Sequence, residues 1–190
     1  MSSDKLQTIL EQTWSGLAKA TGQADHPWRL PALGAHGLNG PEVRTMVLRS
    51  VDPVTRQLIA QTDVRSTKVP GFRKDPRVAW HFFDPQTKVQ VRANGRVTVH
   101  HDDEVTRTAW AAVPEANKRN YATPSAPGLP VDDPSLGQAQ AGAYTAAYAN
   151  FSVLCAEITF IDWLQLGDEH HRRAQFTWTG SDWRGAWVVP

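Results

Sequence analysis

Three short stretches of this 190-residue chain carry side chains able to hold an anion or a flat polar ring. The first is Arg44-Thr45-Met46-Val47-Leu48-Arg49, two guanidiniums on an apolar run that reads as a strand. A buried arginine needs a partner, and a phosphate or a ring oxygen is a good one. Five residues apart on a strand, Arg44 and Arg49 point to opposite faces and cannot share one task. The second stretch is Gln61-Thr62-Asp63-Val64-Arg65-Ser66-Thr67-Lys68, where a strand runs into a helix. Free N–H groups at a helix start, the hydroxyls of Ser66 and Thr67 and the charge of Lys68 together make an anion cradle. The third is Asp75-Pro76-Arg77-Val78, followed on a later strand by Gln90, whose amide can bond a heteroaromatic edge. The competing reading of Lys68, Arg73 and Lys74 is a solvated helix face, the usual fate of such charges.

Other chemistries are less well served. His100-His101 and His170-His171 are adjacent pairs, and neighbours on a strand face opposite ways, a poor geometry for one metal ion. Asp102-Asp103 reads instead as a helix cap. Asp168 and Glu169 can pair on the surface with Arg172 or Arg173. Cys155 lies in an apolar strand and reads as an inert core residue. As the one cysteine it forms no internal disulfide, so the chain needs no oxidising compartment. Order alone supports no Ser-His-Asp or Cys-His arrangement.

The elements that must position these groups follow from periodicity. Leu6, Ile9, Leu10, Trp14 and Leu17 recur at helical spacing, so Ser3 to Ala20 is an amphipathic helix, with Ser2 or Ser3 as its cap and Gly22 beyond its end. Strands are expected over Trp28–Ala35, Val43–Val51, Gln57–Thr62, Val78–Phe83, Lys88–His101, Phe151–Leu166, Arg172–Thr179 and Trp183–Val189, with a Gly180–Asp182 hairpin turn. Gly95 in the long strand predicts a bulge. Short helices are expected over Thr67–Lys74, broken at Pro70-Gly71, over Glu104 to about Val113, and over the alanine-rich 142–150 stretch. Residues 122–137 carry four prolines and two glycines and read as a long loop, functional or laid over a partner. Antiparallel strands joined by short turns favour a closed barrel with peripheral helices over a doubly wound sheet. The run from Gly34 to Gly40 is followed by a strand, which is the wrong context for a dinucleotide loop.

Composition bounds the rest. The length suits one domain over 1–190. Twenty basic residues against nineteen acidic leave a formal charge of +1, which argues against a general nucleic-acid or anionic-membrane binder. No apolar run approaches the length that crosses a bilayer, and the first ten residues lack the apolar segment of a signal peptide, so a cytoplasmic protein is expected. Eight tryptophans suit core and interface filling, with one or two left as stacking surfaces for a flat ring.

The ordered set Arg44-x-x-Val47-Leu48-Arg49, Thr62, Ser66-Thr67-Lys68, Asp75-Pro76-Arg77-Val78 and Gln90-Val91 resembles the pyridoxamine 5'-phosphate oxidase-like family. The ending Trp183-Arg184-Gly185-Ala186-Trp187-Val188-Val189-Pro190 resembles that family's terminal strand. The likeness covers about residues 26 to 100 well and the C-terminal third loosely. It implies an FMN-binding split β-barrel and a homodimer with flavin at the subunit interface. It assigns the FMN phosphate to Arg44, Lys68, Ser66 and Thr67, and the ring and ribityl groups to Arg49, Thr62 and Gln90. Thr45, Met46 and Val47 are assigned to the cofactor as well, and Arg49 is the candidate cation at the flavin N1–O2 edge. Arg172 or Arg173 becomes a cofactor contact, and Trp110, His170 and His171 become substrate-side groups. The departures are Thr67 where many members have arginine, Trp110 where the oxidases have tyrosine, Pro114 and Lys118 near two further substrate-phosphate positions, and Leu164 where an aromatic is usual. They fall mainly on the substrate side, so the resemblance carries flavin binding and leaves the substrate, pyridoxamine 5'-phosphate included, open.

The expectation is thus an FMN-dependent oxidoreductase acting on a small molecule. The alternatives are a non-catalytic flavin- or haem-binding module on the same barrel and an interaction protein without a cofactor. Bound chromophore and turnover discriminate among the three.

Overall fold

The computed structural model describes residues 2–37, 40–139 and 147–190, with side chains from residue 4 onward. The opening helix α1 (Ser2–Gly22) extends two residues beyond the expected end. Its buried stripe is the predicted one: Ile9, Leu10, Trp14 and Leu17, continued by Ala20. The Nη1 of Arg29 donates to the carbonyls of Ala20, Thr21 and Leu48, so one guanidinium satisfies the helix end and ties it to the sheet. The Ser2 and Ser3 side chains, expected as caps, lie outside the described residues, as do positions 140–146 of the alanine-rich stretch.

Among the described residues nine antiparallel strands follow: β1 (Ala32–Gly37), β2 (Gly40–Thr45), β3 (Ser50–Asp52), β4 (Gln57–Asp63), β5 (Arg77–Asp84), β6 (Val89–His100), β7 (Phe151–Gln165), β8 (Arg172–Trp178) and β9 (Trp183–Val188). The ladder runs β2-β1-β5-β6-β7-β4-β3, with β8 pairing β7, and β9 pairing β8. The expected closed barrel is therefore corrected: the described residues show no pairing between end strands β2 and β3, and the sheet stays open. The expected Val43–Val51 strand is corrected for the same reason, since it divides into β2 and β3. Residues 46–49 span the gap instead. The amide of Met46 bonds Pro31 O and that of Leu48 bonds Arg29 O, whereas that of Arg49 bonds Ile59 O on the far side. The chain itself thus bridges the two ends of the sheet, and Arg44 and Arg49 fall on opposite sides of the split.

Burial follows period two where one face is wet. On β5, Val78, Trp80 and Phe82 point inward, while Arg77, Ala79, His81 and Phe83 are exposed. On β6 the register shifts between Asn94 and Gly95, the predicted bulge. A Cβ at Gly95 would lie 2.0 Å from Glu157 O, so only glycine permits this approach. Phe151 to Ala156 of β7 are buried on both faces, because a second core cluster of Val113, Tyr121, Ala147, Phe151 and Val153 covers the outer side. Helix α3 (Glu104–Ala111) belongs to this outer layer and is capped by Asp103, whose side chain accepts from the Thr106 amide while the Thr106 hydroxyl takes the Asp103 amide. Helix α2 (Lys68–Lys74) runs through Pro70-Gly71 without the expected break, because proline in the first turn displaces no helical hydrogen bond. The short helices α4 (Glu115–Lys118) and α5 (Ala147–Asn150) complete the described regular helix, with single turns of 3₁₀ at Arg119–Tyr121 and Pro134–Gly137.

Candidate functional site

At the end of β4 the chain turns into α2 and gathers four of the expected residues. The Lys68 Nζ donates to Thr62 Oγ1 at 2.9 Å and to Ser66 Oγ at 2.5 Å. Thr62 and Ser66 are buried. Both hydroxyls accept from the ammonium, which leaves each its own proton to donate, and leaves Lys68 a third N–H. Across from them Arg44 pairs with Glu42 through one nitrogen and lies over the Phe72 ring, 6.0 Å from its centroid. Its other terminal nitrogen, Nη1, is buried without a hydrogen-bond partner. Burial first, and then the neighbouring Arg44 charge, push the Lys68 pKa below the ordinary lysine value, against the opposing pull of Asp63 and Glu42.

The scaffold of this corner is polar and fully paired. Ser152 Oγ donates to Thr62 O across the β4–β7 ladder, and Asp63 holds Arg65 through both carboxylate oxygens. Arg65 also donates to Thr123 O, which ties the proline-rich loop to the same corner. Gly128 of that loop, at φ +93°, places its missing Cβ 3.5 Å from Thr67 Cγ2. Thr67 itself is exposed, as is Thr45, and makes no capping bond. The Met46 side chain is in the core and Val47 is half-buried, so Met46 can meet a ligand only through its backbone.

The remaining expected residues lie elsewhere. Gln90 is on the outer face of the sheet, where its Oε1 meets His81 Nε2 at 3.1 Å. Thr62 is opposite Ser152 and Gln90 is opposite Leu164, so the β7 run from Ser152 to Leu164, about 40 Å of strand path, separates them. Beside Gln90 is an arrangement that sequence reading missed. Asp162, 1% exposed, accepts from Arg92 at 2.5 Å, from Arg173 at 3.0 and 2.7 Å, and from Gln175 at 3.1 Å. Burial alone would raise its pKa, but the hydrogen bonds from Arg173, Arg92 and Gln175 prevail and hold it at about 2. Two guanidiniums on one carboxylate leave this face a net cation. Its signal in the sequence was slight: Arg92 follows Gln90 by two on one strand, but Asp162 and Arg173 lie on two others.

Arg172 bonds Gln165 and lies 5.5 Å from the Trp163 ring centroid. His170 and His171 are exposed in the turn after β7, where His171 Nδ1 accepts from the Gly167 amide and Asp168 pairs with Lys88. Trp110 is packed among Tyr121, Tyr148 and Phe151, with Lys118 above its ring. Among the described residues no group of three or more His, Cys, Asp or Glu is placed to hold a metal. Cys155 is buried, and burial pushes its thiol up to about 11.

Arg49 stands apart from the Lys68 corner, in the wall of a cavity of about 590 Å³ between α3 and the β3–β4 edge. The five residues from Arg44 to Arg49 cover about 16 Å when extended, so an anion cradle and a roomy slot sit within reach of one elongated ligand. A hollow of about 700 Å³ near Asp75, Arg77 and Arg96 includes none of the cradle residues.

Residues 6–101 match the family described as pyridoxamine 5'-phosphate oxidase, FMN-binding domain. The pyridoxine/pyridoxamine 5'-phosphate oxidase 2 of Arabidopsis thaliana is 29% identical over 145 residues, 70% of this chain and 72% of that one. A pyridoxamine 5'-phosphate oxidase-related, FMN-binding protein of Nostoc punctiforme superposes with a TM-score of 0.76 at 22% identity, covering 94% of this chain and 96% of its own. PhzG of Burkholderia lata, solved with tetrahydrophenazine-1-carboxylic acid, gives 0.72 at 17% identity over 97% and 92%. These two structures show the FMN-binding split-barrel fold.

Proposed function

The chain belongs to the pyridoxamine 5'-phosphate oxidase FMN-binding family, and on that footing we propose that it is an FMN-dependent oxidoreductase working as a homodimer. The observation that carries this reading is the buried, unpartnered Nη1 of Arg44 beside the desolvated Lys68. Two cations brought together in a buried corner repel unless an anion joins them. Glu42 answers one nitrogen of one of them. A phosphate would accept from Arg44 Nη1, from the third N–H of Lys68 and from the hydroxyls of Thr62 and Ser66, which fits the phosphate end of FMN. When bound, FMN supplies the two-electron acceptor that no side chain here provides.

The outer-face groups support the dimer. Gln90 and the Asp162-held Arg173 cannot reach the cradle of their own chain. In a symmetric pair, the outer face of one copy lies against the cradle of the other, so that Gln90 and Arg173 of the second copy approach the flavin ring. Arg173 then offers its charge where negative charge develops, and Asp162 fixes its orientation. The lone buried cysteine suits a reducing, cytoplasmic setting.

Purified protein analysed for bound chromophore, with the released molecule identified by mass, tests the reading. FMN is expected, and Arg44→Ala is expected to lose it. Protein without flavin that also fails to take up added FMN would reject the proposal. Turnover with a small-molecule donor separates the enzyme from a flavin-binding module.

A further inference from the structure

We propose that Arg65 is a positioning residue of the anion cradle: it clamps the proline-rich loop against the Thr67 side, and the loop thereby sets how fast a bound phosphate group leaves. The proposal rests on the cofactor reading above, since FMN is the ligand whose release it describes. The clamp starts from the carboxylate of Asp63, 6% exposed at the end of β4. One of its oxygens accepts from the Arg65 amide at 2.8 Å and from Nε at 3.0 Å, and the other accepts from Nη2 at 2.7 Å. This fork fixes the plane of the guanidinium. Its far edge then reaches Thr123, with Nη1 and Nη2 each 3.2 Å from the carbonyl oxygen and Nη2 3.0 Å from Oγ1.

Little else holds the middle of the loop. Tyr121 and Ala122 at one end and Ala139 at the other pack into the second core cluster. Between them, among the described residues, the hydrogen bonds made by 124–137 stay within 123–138, so Arg65 is the anchor to the sheet. The loop is nonetheless shaped in advance. The Leu129 amide donates to Ala126 O at 3.2 Å and Gly128 is at φ +93°, which makes a type II turn with Pro127 and Gly128 at its centre. This turn lies against Thr67, the residue that joins Ser66 to Lys68, with a Cβ at Gly128 3.5 Å from Thr67 Cγ2. It therefore stands on the flank of a phosphate seated at Ser66 and Lys68. Lifting it breaks the bonds between Arg65 and Thr123, and that cost adds to the barrier for release. By linkage, a seated phosphate holds the loop down in return. The competing role for Arg65 is a plain charge near the phosphate, and a lysine variant separates the two.

The test uses the full chain freed of flavin. Stopped-flow flavin fluorescence gives the association and dissociation rates of FMN. Thermolysin, which cuts before large apolar residues, reads the loop at the exposed Leu129 and Val131. Arg65→Met is expected to speed FMN dissociation about 10-fold without slowing association, and to speed cutting of the flavin-free loop by a similar factor. Arg65→Lys keeps a charge against Asp63 but has no fork to share with Thr123, so it is expected to behave like methionine. Gly128→Ala strains the turn at positive φ and leaves the clamp in place, and it too is expected to speed dissociation. FMN is expected to shield the parent loop from cutting. Parent rates in Arg65→Lys, dissociation unchanged in both Arg65→Met and Gly128→Ala, or equal cutting of the parent and methionine loops overturns the proposal. Should Arg65→Met fail to fold, Gly128→Ala and Arg65→Lys decide. A parent that takes up no FMN counts against the cofactor reading alone, and cutting of the flavin-free loops still decides the clamp.

Discussion

Replacing Lys68 with methionine separates binding from folding at the cradle. The ammonium is half-buried, it has Arg44 as a like-charged neighbour, and its pKa lies below the ordinary value. Charge at this position therefore opposes folding of the free protein. Methionine keeps the aliphatic length and removes the charge, so the flavin-free variant should melt at the same temperature as the parent, or higher. The phosphate contact it removes is a charge-assisted hydrogen bond of about 1.5–3 kcal/mol, so the FMN dissociation constant should rise about 10- to 150-fold. Quenching of flavin fluorescence on titration into flavin-free protein gives the affinity, and thermal melting with and without FMN gives the stability. The sign of the pH dependence follows from the lowered pKa. The folded state releases the Lys68 proton more readily than the unfolded chain, so free-protein stability gains from Lys68 as pH climbs from its folded pKa toward 10.5. Over the same window FMN affinity should fall, and the methionine variant should lose that slope. An unchanged FMN affinity would refute the assignment of Lys68 to the phosphate, and a flavin-free variant that melts several degrees lower would refute the argument that its charge is uncompensated.

Asp162→Asn should weaken the outer-face cluster, costing about 1–3 kcal/mol of stability in denaturant titrations because Arg92 and Arg173 lose a shared carboxylate, with Asp162→Glu recovering part of it. The Asp162 pKa of about 2 lies below the unfolded value, so its stabilisation is present above about pH 4 and lost as pH falls through 2; acid titration of the asparagine variant should lack that component. Gly95→Ala should lower the melting temperature markedly, since its Cβ would collide with the Glu157 carbonyl; a neutral result would show that the bulge relaxes at little cost. Asp103→Ala should cost about 1 kcal/mol through loss of the α3 cap, read from the denaturant midpoint.

Local chemistry and period were legible in the amino-acid order. The apolar stripe of α1, the alternation of β5, the Gly95 bulge and the Asp103 cap each depend on residues within one turn or one strand, and so did the grouping of Thr62, Ser66 and Lys68. Strand alternation predicts Arg44 and Arg49 apart, and they are apart for a different reason: residues 46–49 leave the ladder and carry Arg49 across the split. What tertiary structure decided was every relation made across the sheet. The division of the 43–51 segment came from the competing partners Pro31 and Ile59, which no local signal names. The Asp162 cluster draws on three strands, and the Arg49 slot needs α3 laid over β4, so neither has a sequence spacing to read. The open sheet, too, is a global outcome: β2 and β3 are consecutive in the chain, yet the ladder places them at opposite ends.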